Sequence, residues 1–443
     1  MLKKLKKLLR PVLYSMPWLN DIYHRAQGMT AATVYGFPST HMRVIGITGT
    51  NGKTTTANLL AHILEASGAK VGMATTVNIW TGNKKWVNET KMTTLSPFAL
   101  QGLLRQMVNN KCQYAIVETT SHALAQHRTW GIFYDVAVFT NLTHDHLDYH
   151  KTFDNYKIAK GKLFRDLAND LRKPNMPKIS IVNLNDPEAH YFDQFAADQK
   201  YYFAIDKVET PANPDALIWV NNIHEGRQHT YFTLNTAKGG IDIKLHLPGR
   251  FNIYNAAAAS SVAFALGLDL PTIQQGIESA WQIPGRMEYI PNNHNLDIIV
   301  DYAHTPDSFQ KVFEALRPIA RQKIIAVFGA AGDRDKTKRP ILGQIASQFA
   351  DEIILTEEDP GTEDAHQIIK EILPGIDKTK FREGKNLHII LDRKSALHHA
   401  LTTAKPNDLV LLLAMGAQTV IARGDKKIPY TEREVVQQIL QSM

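Results

Sequence analysis

The sequence predicts an α/β protein made of two successive parallel sheets, and three observations predict it. From Arg43 to Asn183, apolar runs of strand length recur between amphipathic helical patterns. They are RVIGIT (43–48), KVGMAT (70–75), YAIVE (114–118), DVAVFT (135–140) and ISIVN (179–183). Runs that are apolar throughout, rather than alternating, belong to strands covered on both faces, which is the habit of parallel sheets. The rhythm breaks near Pro284 and restarts with DIIVDY (297–302), KIIAVFG (323–329), EIILT (352–356), LHIIL (387–391) and DLVLLLAMG (408–416). Between the first strand and its helix stands VIGITGTNGKTTT (44–56), a glycine-bearing turn in the context a phosphate-binding loop requires. The expected architecture is a central P-loop ATPase domain with a parallel sheet, followed by a Rossmann-like C-terminal domain.

Length agrees, since 443 residues at about 150 per domain suggest two or three domains. The divisions expected are a helical segment at 1–42, an ATP-binding domain at 43–283 and a C-terminal domain at 284–443. Within the second, residues 200–248 contain alternating pieces such as HTYFTLN and IDIKLHLP, which suggest a small antiparallel insertion. LPGRFNIYNAAAASSVAFALGL (247–268) reads as a turn leading into an alanine-rich helix. At the N-terminus, Leu2, Leu5, Leu9 and Val12 share one helical face, with Lys3, Lys4, Lys6, Lys7 and Arg10 around it. That pattern reads either as peripheral membrane contact by residues 1–20 or as a basic helix docking on its own protein, limited by Pro11. No apolar run approaches the ~18 to 20 residues of a membrane span. There is also no apolar segment with a small-residue cleavage site, as a signal peptide has.

The single cysteine, Cys112, excludes a disulfide framework and a multi-cysteine zinc site, and it fits a reducing, cytoplasmic setting. A net charge of +7 suits anionic substrates such as nucleotides. Without interleaved aromatics it does not point to nucleic acid.

Chemistry concentrates at the ends of predicted strands. Gly49 and Gly52 let the backbone bend so that N–H groups converge on phosphate, and the following helix adds its positive end. Lys53 would bring a point charge to the β/γ-phosphates, and Thr54 a hydroxyl for Mg²⁺. The spacing departs from the standard loop, because Ile47 stands where its first glycine would be. Glu118 ends one strand, and Asn141, His144, Asp145, His146 and Asp148 follow another. In open α/β sheets that edge binds ligands. An acid and histidines there suit a Mg²⁺ cage, although such residues also serve as helix caps. Lys160, on the next helix, reads alone as a solvated lysine. GAAGDRDKTKRP (329–340) and DYAHTP (301–306) follow later strands. The first reads either as a phosphate grip or as a solvated loop, and composition does not decide.

Together, TGTNGKTTT, ETTSHAL..HR, NLTHDHLDYH, NYKIAK, PGRFNIYNAAAA, PGRMEYI, DYAHTPDS and FGAAGDRDKTKRP occur in the order seen in Mur ligases. The chain resembles that family over roughly residues 43 to 440, most closely its tripeptide-synthetase branch. The resemblance implies an ATP-dependent amide ligase of peptidoglycan precursor synthesis, serving cell wall, shape and division. Its partners would be a UDP-N-acetylmuramoyl-peptide and an amino acid, joined through an acyl phosphate. It further implies that Gly49, Thr50, Asn51, Gly52, Lys53, Thr54 and Thr55 hold the ATP phosphates. Thr54, Glu118, His146 and Lys160 would serve the metal, with Lys160 matching a carbamylated lysine. Lys53, Glu118, His146 and Lys160 form the implied catalytic set. Thr93, Thr94, Ser121 and Arg128 match muramoyl-peptide contacts, and Asn255, Arg286, Asp301 and His304 match nucleotide contacts.

Departures from the family pattern bear on the substrate. About 42 residues precede the ATPase segment, fewer than the usual uridine-binding domain, so another surface or a partner is expected to hold that end. The arginine of the D-N-P-R motif is replaced in Glu358-Asp359-Pro360-Gly361, and the acid of the late G-K-G-H-E motif in Ala414-Met415-Gly416-Ala417-Gln418. Diaminopimelate is thereby disfavoured, while Glu358 or Asp359 would suit a distal amine such as that of lysine. The alternatives are a folylpolyglutamate- or cyanophycin-type ligase, or a nucleotide-binding partner subunit with reduced catalysis. Relatives that amidate lipid-linked precursors carry a four-cysteine zinc ribbon, which one cysteine excludes.

Overall fold

The structure, a computed structural model, describes residues 17–206 and 211–443. The basic pattern at Leu2–Val12 lies outside the described residues. A helix at Pro17–Val34 occupies the early segment and stops at Gly36 and Phe37, both with positive φ. The chain forms two compact units, one of residues 1–142, 152–219 and 257–276, the other of 143–151, 220–256 and 277–443.

The first unit is built on β1 (Arg43–Thr48), β2 (Val71–Ala74), β3 (Asn78–Thr81), β4 (Lys85–Val87), β5 (Tyr114–Glu118), β6 (Val136–Phe139), β7 (Ile179–Asn183) and β8 (Gln199–Ile205). Their order across the sheet is β8-β7-β6-β1-β5-β2-β3-β4. All neighbours run parallel except β3 and β4, an antiparallel edge hairpin that periodicity did not reveal. β8 pairs in parallel with β7, so the antiparallel region begins later than residue 200. It comprises β9 (Leu217–Glu225), β10 (Thr230–Thr236) and β11 (Gly239–Leu245), with β10 and β11 antiparallel.

β1 is central because its side chains are apolar on both faces; Val44, Ile45 and Ile47 are fully buried. One face packs on a core that includes Leu100, Leu104, Tyr134, Leu163 and Phe164. At the N-terminal end of the strands, Lys173 donates to Asp135 at 2.5 Å and to the Met42 carbonyl at 2.8 Å. Asp135 also accepts the Val44 N–H at 2.8 Å, so one carboxylate ties β1 to the approach to β6. Both side chains are buried, and burial pulls the Lys173 ammonium down to about 8 against the pull of Asp135.

The second unit carries β12 (Glu288–Tyr289), β13 (Asp297–Val300), β14 (Ile324–Phe328), β15 (Glu352–Leu355), β16 (Leu387–Ile389) and β17 (Leu409–Leu412), ordered β12-β13-β17-β14-β15-β16. Only the short β12 is antiparallel. Helices Pro306–Leu316, Lys338–Phe349 and Ala365–Ile372 fill one face around Phe309, Phe313 and Ile372. Helices Arg393–Thr403 and Glu432–Ser442 fill the other around Leu397, Leu401 and Val436. A hairpin of β18 (Val420–Arg423) and β19 (Lys426–Pro429) completes it. The expected pair of α/β sheets is present, each with its edge trimmed by an antiparallel strand.

Removing one partner of a buried ion pair strands the other, a loss of about 3–5 kcal/mol. Lys173→Met should therefore lower stability to urea by about that amount, and Asp135→Asn added to it should recover part of the loss. Equal, additive losses would show that the pair is not coupled.

Candidate active site

The loop after β1 is shaped by its own backbone needs. Gly49 has φ 147° and Gly52 φ 85°, conformations that suit glycine. A Cβ on Gly49 would collide with the Thr140 hydroxyl. Gly52 then caps the helix Lys53–Ala66.

Residues at the end of β6 hold this loop from outside. Asn141 accepts the Asn51 N–H at 2.9 Å through its side-chain oxygen and returns a bond to the Asn51 carbonyl at 3.0 Å. The Asn141 carbonyl accepts the Thr50 N–H at 2.8 Å, and the Thr140 hydroxyl donates to the Asn51 carbonyl at 2.7 Å. Sequence reading placed Asn141 in a polar cluster; the structure gives it the separate task of clamping the loop. Tyr156, which it did not single out, adds its hydroxyl 3.2 Å from that of Thr50.

Two lysines converge on this loop. Lys53 Nζ donates to the carbonyls of Gly49 at 3.0 Å and Thr50 at 2.7 Å. Lys160 Nζ donates to the same Gly49 carbonyl at 2.6 Å and lies 4.5 Å from the centre of the Tyr156 ring. Lys160 is buried, not the solvated lysine that its position alone suggested. The ammonium groups are no farther apart than two hydrogen bonds laid end to end. Like charges held so close in a low-dielectric setting repel. The arrangement suits an anion between them or a change of charge on one.

Glu118, at the end of β5, forms a second cluster. Its Oε2 accepts the Thr54 hydroxyl at 2.9 Å, the Thr76 N–H at 2.8 Å and the Thr76 hydroxyl at 3.0 Å. A carboxylate at the strand end, grouped with threonine hydroxyls, offers the oxygen ligands that a hard cation takes, so the residues fit Mg²⁺. Thr93 shares in this network, its hydroxyl 2.9 Å from that of Thr76. The Thr94 hydroxyl donates to the Glu118 carbonyl at 2.8 Å, and the Thr94 carbonyl accepts from Arg128 Nη1 at 3.1 Å. Arg128 is oriented further by Gln126. Ser121 is buried at the start of the helix Ser121–Ala125, which Thr120 caps. Thr55 is buried in the first turn of the helix after the loop.

Other candidates lie in the second unit. His146 sits in the segment 143–151 with φ 54°, half-exposed, its Nε2 3.4 Å from Asp145. Asn255 is buried on the helix Arg250–Ala265 and donates to Asn252 at 3.0 Å. Asp301 accepts the N–H groups of Met287 and Ala303, each at 2.7 Å, although burial pushes its carboxyl upward. The Arg286 guanidinium lies 4.6 Å from the centre of the Tyr302 ring and draws Asp301 back toward ionisation. Burial, with Lys338 nearby, holds His304 down at about 3, so the ring is neutral at pH 7. Its Nδ1–H donates to the Tyr302 carbonyl at 2.7 Å, leaving Nε2 as an acceptor for a ligand hydroxyl.

Glu358 is buried, and Asp359 accepts the Ala422 N–H at 2.5 Å. Gly361 has φ 59° and bridges to Arg423, whose guanidinium pairs with Glu357. The β18–β19 hairpin, which no motif signalled, thus brings Arg423 to Glu357 through a backbone bridge at Gly361. Glu357, Asp392, Arg393, Arg423, Tyr430 and Thr431 line a cavity of about 430 Å³.

Residues 47–263 match the model of the Mur ligase middle domain, and residues 285–416 that of the Mur ligase, glutamate ligase domain. A UDP-N-acetylmuramyl-tripeptide synthetase of Roseiflexus sp. (strain RS-1) is 39% identical over 91% of this chain and 79% of its own length. A UDP-N-acetylmuramoyl-L-alanyl-D-glutamate--2,6-diaminopimelate ligase of Clostridium botulinum is 36% identical over 95% of this chain and 82% of its own. Among solved structures, a UDP-N-acetylmuramoyl-L-alanyl-D-glutamate--2,6-diaminopimelate ligase superposes with a TM-score of 0.61 at 29% identity. It covers 90% of this chain and 78% of that one. With a phosphate loop, a buried acid and paired lysines on one sheet edge, and family matches across both units, the chain belongs to the Mur ligase family.

Proposed function

We propose that this chain is an ATP-dependent ligase adding an amino acid to a UDP-N-acetylmuramoyl-peptide in peptidoglycan precursor synthesis, in the cytoplasm. The observation that carries this reading is the convergence of Lys53 and Lys160 on the Gly49 carbonyl, on the same sheet edge as buried Glu118. That is a place built for the triphosphate end of a nucleotide, in a chain similar to muramoyl-peptide ligases. The working division is 43–283 for ATP and 284–443 for the C-terminal functions.

In this reading, a carboxylate of the muramoyl peptide attacks the γ-phosphorus, the bond to the β-phosphate oxygen breaks, and ADP leaves an acyl phosphate. The amine of the amino acid then attacks the acyl carbon, loses a proton, and phosphate departs as the amide forms. Lys53 and the loop N–H groups receive the charge that grows on the phosphates. Thr54 and Glu118 are the residues that would hold Mg²⁺, which would neutralise phosphate charge when bound. Carbamylation of Lys160 would turn a crowded cation into an anion and relieve its repulsion with Lys53. Thr93, Thr94, Ser121 and Arg128 face the muramoyl peptide, with Arg128 offering its guanidinium to a carboxylate. Asn255, Arg286, Asp301 and His304 attend the nucleoside, and Nε2 of His304 accepts from a hydroxyl. Glu358 and Asp359 favour an amino acid with a distal amine, and the nearby Glu357–Arg423 pair supplies a further acid and a cation.

With UDP-muramoyl-dipeptide and a panel of amino acids, phosphate release should need both substrates and yield a product one residue heavier by mass spectrometry. Lys53→Ala should lower that rate by about 10² to 10³, the usual effect of removing one charge-stabilising donor. Release that is indifferent to the acceptor would point instead to a nucleotide-binding subunit. Lys160→Ala should also abolish most ligation but regain part of it with added formate or acetate, which replace the carbamate. Ligation unchanged in that variant would remove Lys160 from the reaction.

A further inference from the structure

The sheet of the second unit has chemistry at the end opposite its nucleotide-type motifs. Asp301, Gly329 and Glu358 follow the C-terminal ends of β13, β14 and β15, whereas Glu352 opens β15 at its N-terminal end. His388 lies on the edge strand β16, directly across from Ile354. Since residues two apart share a face of a strand, Glu352, Ile354 and His388 all face the same side. Ile354 packs there with Leu397, Ala400 and Leu401 of the helix Arg393–Thr403, the helix that carries His399.

The three polar side chains meet where these elements meet. Nε2 of His388 is 3.3 Å from Oε1 of Glu352, and the rings of His388 and His399 are 4.5 Å apart between centroids. One donor atom from each residue lies within 4.8 Å of the other two. Tetrahedral bonds of about 2.0–2.1 Å set donors about 3.4 Å apart, so a small contraction would close the set on an ion. A second observation points the same way: Nε2 of His399 is buried and has no hydrogen-bond partner. A buried ring nitrogen left in that state is costly, and a cation bound in the cluster is one way to use the unpaired imidazole. All three residues are partly exposed, which leaves room for water as a fourth ligand.

We propose that Glu352, His388 and His399 form a binding site for a zinc-class divalent cation, tying β16 and β15 to the helix Arg393–Thr403. Two imidazoles and one carboxylate select borderline transition-metal ions over Mg²⁺, which prefers oxygen donors. The site is separate from the Thr54 and Glu118 cluster, and the proposal does not rest on the ligase reading.

The test uses the full chain stripped with a chelator and then titrated with Zn²⁺ against a colorimetric zinc chelator, in excess Mg²⁺. The wild-type protein should bind one equivalent more tightly, by at least about tenfold, than His388→Gln or His399→Gln. Zn²⁺ should also raise the melting temperature of the wild type and not of these variants. Co²⁺ in place of Zn²⁺ should show visible d–d absorption that His388→Gln abolishes. If His399→Gln does not fold, Glu352→Gln on the sheet margin replaces it. Equal Zn²⁺ affinity in the wild type and the folded variants would overturn the proposal. So would a bound equivalent that vanishes in Glu118→Gln and persists in His388→Gln.

Discussion

Two ammonium groups sharing one backbone carbonyl is the constraint from which the rest of the first unit follows. Lys53 arrives on the carbonyl of Gly49 from the helix that starts at the loop, and Lys160 from the helix Phe153–Asn169. Neither arrangement is stable for its own sake, because like charges gain nothing from proximity in a buried setting. The loop must therefore be held by other bonds. The clamp from Thr140 and Asn141 supplies them, fixing Thr50 and Asn51 through their backbone groups. A buried ammonium on Lys160 and a half-buried one on Lys53 then stand side by side, an arrangement that suits a polyanion.

The sheet order makes this possible. With β1 between β5 and β6, the chain ends of three adjacent strands deliver Gly49, Glu118 and Thr140 to one edge. Ligands gather at that edge because strands end there while helices begin, exposing N–H groups. The opposite end is closed by Asp135 and Lys173, a pair whose burial makes sense as a lock on register rather than as chemistry.

Much of this was legible in residues. The strand runs around Ile45, Ile116, Val138 and Ile181 are dominated by apolar residues, and each became an interior strand of the sheet. Edge elements were not legible. Lys85–Val87 is exposed and only three residues long, and β18–β19 is too short and mixed for periodicity to register. The phosphate loop was readable because glycine is required at specific φ values. Lys160 was readable only through family resemblance, since a lysine on a helix carries no local sign that its amine will be buried. Asn141 and Arg423 act through tertiary contacts, one with a loop some 90 residues earlier in the chain, the other through a hairpin bridging to Gly361. Neither relation leaves a spacing pattern.

The most direct test of the account is calorimetric titration of a non-hydrolysable ATP analogue into the wild type and Gly49→Ala. At φ 147°, with the Thr140 hydroxyl in the way, an alanine cannot occupy that position without moving the loop. A shift that breaks several phosphate bonds should weaken binding by about a hundredfold or more, near 2.7 kcal/mol, while the folded state persists. Unchanged affinity in a folded Gly49→Ala protein would mean that the nucleotide is bound elsewhere and that the convergence of Lys53 and Lys160 serves another purpose.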